Sequence, residues 1–210
     1  MSKDKKYYYR QTKEKIPLVM PERGENNDKV IRYLTKTRCI DPELIQRMID
    51  EDYLYQDNKG NCVFLGYTRR KKLRHISLHT TNKNGKLKID VKGSEKEFSF
   101  SLRGSSSTVN VFESTIDLLS FMTIYKNEEG ILEDGFVSLG GVGRQSLRRF
   151  LGENRNIEKI RICTDNDEAG EEAVKLIIKE FGNEYKLVRR RPHFKDFNED
   201  LVYRTKHKKS

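Results

Sequence analysis

The feature that most restricts the fold is a β/α rhythm in the second half of the chain. Val109-Asn110-Val111-Phe112, Phe136-Val137-Ser138-Leu139, Ile160-Arg161-Ile162-Cys163 and Tyr185-Lys186-Leu187-Val188 are short runs of strand length. Between them lie helix-forming segments, Ile116 to Tyr125, Gln145 to Leu151 and Glu168 to Phe181. Strands that alternate with helices at this spacing predict a parallel sheet covered by those helices. In such sheets the chemistry gathers beyond the carboxyl ends of the strands.

Acidic residues fall at those ends. Glu113 directly follows the first strand, and Asp117 lies one helical turn later, where it can face the same point. Asp165 and Asp167 follow the third strand, and Asp196 follows the last. Carboxylates held together repel one another, and a divalent cation is the usual remedy; Mg²⁺ prefers carboxylate oxygens and water in an octahedral shell. Asp-x-Asp alone carries little weight, since a chain of this composition holds about one copy by chance. A second copy, Asp50-Glu51-Asp52, reads as a solvated helix end. The position of Asp165 and Asp167, between a strand and a helix, sets them apart. Gly140-Gly141-Val142-Gly143 after the second strand can bring backbone N–H groups to a phosphate or can be a plain tight turn.

The first half reads differently. Residues 1–26 form an extended arm, in which Tyr7-Tyr8-Tyr9-Arg10 can stack on bases or pack on the body. Residues 28–51 are predicted helical: Val30, Tyr33 and Leu34 share a face, Asp41-Pro42-Glu43 starts a helix, and Leu44, Ile45, Met48 and Ile49 form its apolar stripe. Residues 53–103 read as β-structure with turns at Asp57–Asn61 and Asn82–Gly85, and Phe98 and Phe100 alternate with serines. Gly104-Ser105-Ser106-Ser107 is a polar break. The expected organisation is an arm (1–26), a small α+β domain (27–104), an α/β domain (105–202) and a basic tail (203–210).

Lys plus Arg exceed Asp plus Glu by 42 to 32, a formal charge of +10. A polyanionic partner is expected, nucleic acid first. The visible basic clusters are Arg69-Arg70-Lys71-Lys72, Arg148-Arg149 and Arg189-Arg190-Arg191, each of which can also be a solvated face. Three cysteines without a CxxC pair argue against a disulfide framework and against a zinc ribbon. His75, His79, His193 and His207 have no partner at ligand spacing. The chain shows no apolar signal segment and no run long enough to span a bilayer, so the expectation is a cytoplasmic protein with no membrane partner.

VNVFESTID, FVSLGG and ICTDNDEAGEEAV resemble the three motifs of the Toprim domain of topoisomerases and primases: a strand ending in Glu, a glycine turn, then Asp-x-Asp. Asp165-Asn166-Asp167-Glu168-Ala169-Gly170 and Lys195-Asp196-Phe197-Asn198-Glu199 look like the phage helicase-primase branch. The resemblance covers about residues 107–202. YLTKTRCIDPELI, VFLGY and VKGSEKEFSF in the first half are similar to a domain that precedes Toprim in primase-like proteins of bacterial mobile elements, such as plasmids. Two departures stand out: the family's usual Glu-Gly is Glu113-Ser114 here, and the template-reading zinc ribbon of such primases is missing from this sequence.

The resemblance implies metal-dependent phosphoryl transfer on nucleic acid. Asp165 and Asp167 would hold Mg²⁺ or Mn²⁺ directly or through water. Glu113 would be a further ligand or the general acid/base, and Asp117 and Asp196 would complete a second metal site or orient waters. Lys195 would contact phosphate, and the arginine and lysine clusters would guide template. The implied activity is that of a primase-like nucleotidyltransferase in DNA replication or mobile-element transfer. Its partners would be single-stranded DNA, nucleoside triphosphates, and a helicase, relaxase or zinc-ribbon protein for template. The alternatives are a Toprim nuclease and a non-catalytic DNA-binding accessory.

Overall fold

A computed structural model of the chain describes residues 16–82, 88–141 and 143–207. The Tyr7–Arg10 cluster, most of the Asn82–Gly85 turn, Val142, and Lys208 with Lys209 lie outside these residues.

The first half opens with α1 (Asp28–Arg32), which runs into a π-helical turn at Tyr33–Thr37. The helical stretch expected over 28–51 is then interrupted, because Cys39 takes a left-handed backbone with φ of 59°. Asp41 restarts it by accepting a hydrogen bond from the Glu43 N–H at 2.9 Å, and α2 (Pro42–Asp50) follows with proline in its first turn. Four strands, β1 (Leu54–Gln56), β2 (Cys62–Tyr67), β3 (Leu73–His79) and β4 (Lys88–Asp90), form an antiparallel sheet in sequential order. The described part of the expected arm lies against this sheet: the Tyr55 hydroxyl donates to the Pro21 carbonyl at 2.7 Å, and Arg23 sits 4.1 Å over the Tyr55 ring.

The second half has the expected α/β architecture. After β5 (Ser101–Leu102) come β6 (Thr108–Phe112), α3 (Thr115–Ile124), β7 (Gly135–Ser138), α4 (Gln145–Glu153), β8 (Lys159–Ile162), α5 (Glu168–Phe181), β9 (Lys186–Arg189) and α6 (Phe197–His207). The sheet order is β5-β7-β6-β8-β9, parallel throughout except for β5. Strand direction of travel reverses at β6: the chain moves outward to β7, then crosses back to β8. The carboxyl ends of β6, β7 and β8 thus border the crevice where open α/β sheets take their ligands.

The two faces of this sheet follow from strand alternation. Val109, Val111, Val137, Ile160 and Ile162 pack on α4 and α5 through Leu147, Phe150, Ile177 and Phe181. Phe112 and Phe136 point the other way, onto Phe121 of α3 and Phe197 of α6. That second core does not stop at the domain break. It continues into Val30, Leu34, Ile45, Met48, Leu54, Phe64 and Phe100 of the first half.

Two features differ from the sequence reading. Phe98 lies in a 3₁₀ turn, and the next strand, Ser101–Leu102, pairs with β7 in the second sheet and not with the first. Phe100 is held edge-on by Tyr53 and Phe64, which turns the backbone from one sheet to the other. The Gly104–Ser107 break therefore follows the first strand of the second sheet. The expected tail is also helical as far as His207, as a continuation of α6, whose buried residues are Phe197, Asn198, Asp200 and Leu201.

A core that spans both halves predicts one cooperative unit. Phe197→Ala should cost about 3–5 kcal/mol and lower a single transition seen equally by far-ultraviolet circular dichroism and tyrosine emission. Two separated transitions would show that the halves fold independently.

Candidate functional site

Each acidic side chain is held by a local device that the sequence encodes. Ser114 is the N-cap of α3: its Oγ accepts from the Asp117 N–H at 3.2 Å and donates to Asp117 Oδ2 at 2.5 Å. Asp117 Oδ1 accepts from the backbone N–H of Asn198 at 3.2 Å. Both oxygens of this buried carboxylate are therefore engaged, which suits a group that orients its neighbours. The serine that departs from the Toprim pattern is the residue that fixes Asp117.

Asp167 caps α5 by accepting from the Gly170 N–H at 3.0 Å, and Asp196 accepts from the Glu199 N–H at 2.7 Å at the head of α6. Each spends one oxygen on a helix end and keeps the other. Gly170 lies so close under the preceding loop that a Cβ there would collide with the Asp165 carbonyl. Glu113, at the end of β6, accepts from the Asp165 N–H at 3.1 Å through Oε1, which joins the first and third motifs directly.

Asp165 itself is positioned from behind. The Arg189 guanidinium donates to the carbonyls of Ile162 at 3.2 Å, Thr164 at 2.9 Å and Asp165 at 3.1 Å. It clamps the loop that carries Asp165. The Asn166 N–H donates to the Lys195 carbonyl at 2.7 Å, which ties this loop to the one before α6.

Electrostatics follow from the crowding. Burial pushes the Asp165 carboxyl up to about 8, and the charges of Asp117, Glu113, Asp196 and Asp167 push in the same direction. Burial also raises Glu113, against the Asp165 N–H hydrogen bond that lowers it. Burial, followed by the charge of Asp196, raises Asp117, and burial raises Asp196. Five carboxylates thus face one region, and Lys195 Nζ is 3.8 Å from Asp167 Oδ2.

The donor set is all hard oxygen, which fits Mg²⁺ or Mn²⁺. No closed cage exists: among the described residues, no group of three or more His, Cys, Asp or Glu side chains is already placed to hold a metal. An ion that keeps several waters, as Mg²⁺ does, matches such an open arrangement.

The first half contributes a second wall. A cavity of about 290 Å³ lies between the antiparallel sheet and the glycine turn, lined by His75, Lys88, Asp90 and Lys96 on one side and by Ser114, Gly140 and Gly141 on the other. Lys88 is close enough to favour ionisation of both Glu113 and Asp117. Lys96 Nζ pairs with Asp90 at 2.6 Å, and buried His75 places Nε2 3.2 Å from the same carboxylate. Gly140 and Gly141 take φ of 63° and 129°, conformations that need glycine. The Gly141 N–H is occupied by the Glu113 carbonyl at 3.0 Å, so it serves the turn and not a phosphate.

The basic clusters separate into used and free groups. Arg189 is the clamp just described, and this corrects its expected place on the template face. Arg149 is likewise engaged within the fold, donating to the Glu97 carbonyl at 2.8 Å, Ser101 Oγ at 3.1 Å and Glu153 at 2.9 Å. Arg148 pairs with Glu180, Arg190 with Glu128, and Arg191 with Glu171. Arg69, Arg70, Lys71 and Lys72 are exposed, and Lys71 Nζ lies 3.8 Å over the Tyr53 ring. The sequence points to neither Lys88 nor Lys96 nor the clamp role of Arg189, and it offers Asn198 only as part of a motif, without its bond to Asp117. The lysines are two among many, and only the fold brings them to the cavity beside Ser114 and Gly140.

A parallel α/β sheet with carboxylates around its switch point puts the candidate site where open α/β sheets take their ligands. Comparison with known proteins narrows this. Residues 110–201 match a Toprim-like family model, and residues 32–106 match a family described as a protein of unknown function, DUF3991. Among solved structures, the primase fragment of the bacteriophage T7 primase-helicase protein has a TM-score of 0.58 at 17% identity, covering 80% of this chain and 68% of that one. The DnaG primase catalytic domain bound to ssDNA has a TM-score of 0.56 at 13% identity, covering 85% and 70%. The second half of the chain is a Toprim-like domain, and its fold is that of primase-like relatives. A curated relative, the uncharacterized protein pXO2-78 of Bacillus anthracis, is 26% identical over 165 residues. The alignment covers 72% of this chain but 47% of that protein, so the chain spans about half of its relative's length.

The raised Asp165 has a thermodynamic consequence. A carboxyl whose pKa rises from 3.8 in the unfolded chain to about 8 in the folded one keeps its proton preferentially in the fold. Its contribution is present at low pH and is lost as pH rises through 8. Melting temperature should therefore fall between pH 6 and pH 8.5, and Mn²⁺ should restore it at the higher pH. Asp165→Asn should flatten both effects; an unchanged pH profile in that variant would place the charge conflict elsewhere. Arg189→Met should lower the melting temperature and weaken the Mn²⁺ response, while Arg189→Lys, unable to reach three carbonyls, should not restore it.

Proposed function

We propose that the chain carries the catalytic centre of a primase-like nucleotidyltransferase, dependent on Mg²⁺ or Mn²⁺ and acting on nucleic acid in DNA replication or mobile-element transfer. The observation that carries this reading is the gathering of Glu113, Asp117, Asp165, Asp167 and Asp196 at the carboxyl edge of a Toprim-like sheet, opposite the lysine-bearing cleft. The fold shared with the T7 and DnaG primase fragments supports it.

Asp165 and Asp167 would hold the cation directly or through water, since each has an oxygen free of helix capping. Glu113 would be a further ligand or the general acid/base. Asp117 and Asp196 would orient water, Asp117 from a position fixed by Ser114 and Asn198. When bound, the cation would offset the charge of a nucleoside triphosphate and activate the attacking 3′-oxygen. Lys88, Lys96 and Lys195 would receive the triphosphate. Arg69, Arg70, Lys71 and Lys72, with the outer faces of Arg148, Arg190 and Arg191, would give salt-dependent affinity for single-stranded DNA.

Without a CxxC pair in this sequence, template selection would fall to another module: a helicase, a relaxase or a zinc-ribbon protein. No helix of the described residues is long and apolar enough to cross a membrane, and a cytoplasmic setting goes with the reading.

The test is synthesis. Purified protein with single-stranded DNA, labelled nucleotides and Mg²⁺ or Mn²⁺ should yield short labelled products, and Glu113→Gln should reduce them at least 100-fold. Metal-dependent loss of substrate without incorporation would replace this reading with a Toprim nuclease. Salt-sensitive binding indifferent to Asp165→Asn plus Asp167→Asn, with no turnover, would make the chain an accessory protein.

A further inference from the structure

Helix α6 carries site residues at its start and a different surface further along. Phe194, just before the helix, contacts the Tyr203 ring at 4.8 Å between centroids, and Tyr203 stacks on His207 at 4.0 Å with planes 24° apart. Residues 203 and 207 are one turn apart on one helix face, so the rings form a continuous ladder. Tyr203 is 48% exposed. The ladder borders an open groove of about 480 Å³, whose other lining includes Arg38, Asn198, Val202 and Lys206.

Two observations say what this groove receives. Its charged rim is mainly cationic: Arg38 and Lys206 stand against Glu199 alone. The groove also reaches Asn198, whose N–H donates to Asp117, so its wall shares a residue with the scaffold of the carboxylate site. Aromatic faces flanked by cations suit a flexible chain that offers both bases and phosphates. A duplex keeps its base faces stacked internally and cannot use them here.

We infer that the Phe194–Tyr203–His207 ladder is a stacking platform for single-stranded nucleic acid, with Arg38 and Lys206 on the phosphates. This rests on the proposed nucleic-acid function but is separable from catalysis. Binding is measured by anisotropy of a fluorescein-labelled oligo(dT) without metal or nucleotides. Tyr203→Ala should weaken it roughly tenfold, Tyr203→Phe should keep it, and Lys206→Gln should lower the slope of log affinity against log salt by about one. Since the chain has no Trp, quenching of tyrosine emission by oligo(dT), reduced in Tyr203→Phe, gives a second readout. Equal affinity of Tyr203→Ala and the parent, in a variant with unchanged melting temperature, would overturn the platform, as would equal loss of binding to blunt duplex. Loss of binding in Tyr203→Ala by a protein that makes no product would uphold the platform and remove only the catalytic reading.

Discussion

The interaction on which the site depends is the repulsion among carboxylates brought together where β6 and β8 end. Burial and like charge raise Glu113, Asp117, Asp165 and Asp196 together, and Asp165 to about 8. Left to themselves, these groups would swing apart into solvent. The surrounding structure opposes this with specific contacts. Ser114 and Asn198 hold Asp117, Glu113 grips the Asp165 backbone, and the helix ends of α5 and α6 take one oxygen each from Asp167 and Asp196.

The same contacts explain why the two halves are packed as one. Asn198 bonds Asp117 through its backbone while its side chain reaches the Arg38 carbonyl and Ser120 Oγ, both at 2.9 Å. Arg38 returns a hydrogen bond to Asn198 Oδ1 at 2.9 Å. Its place follows from the π-helical turn at Tyr33–Thr37, a local irregularity of the kind that often marks functional positions. A residue of the first half thus steadies the carboxylate site of the second. The apolar core around Phe112, Phe121 and Phe197 is shared by both halves, and Lys88 and Lys96 of the first line one cavity with Ser114 and Gly140 of the second.

Much of the site was legible in the sequence because it is written in strand–acid order. Glu113 after one apolar run and Asp165-x-Asp167 after another needed only the β/α rhythm to be placed at one edge. What escaped reading depends on tertiary approach. Arg189 and Arg149 look like surface cations in a basic run, yet each is turned inward to carbonyls that only folding brings near. Ser101–Leu102 is too short to announce its sheet, and its pairing with β7 is decided by the burial of Phe100. The end of α6 reads as a charged tail, yet it continues the helix that Phe197 and Leu201 bury against the core.

The account stands or falls on a cation among these carboxylates. Crystals of the protein grown with Mn²⁺, with anomalous diffraction collected near the manganese edge, test it most directly. The account predicts a peak beyond the ends of β6 and β8, within ligand or water-bridged reach of Glu113, Asp165 and Asp167, and absent in Asp165→Asn plus Asp167→Asn. No peak there, or one at Asp50-Glu51-Asp52 instead, would contradict it.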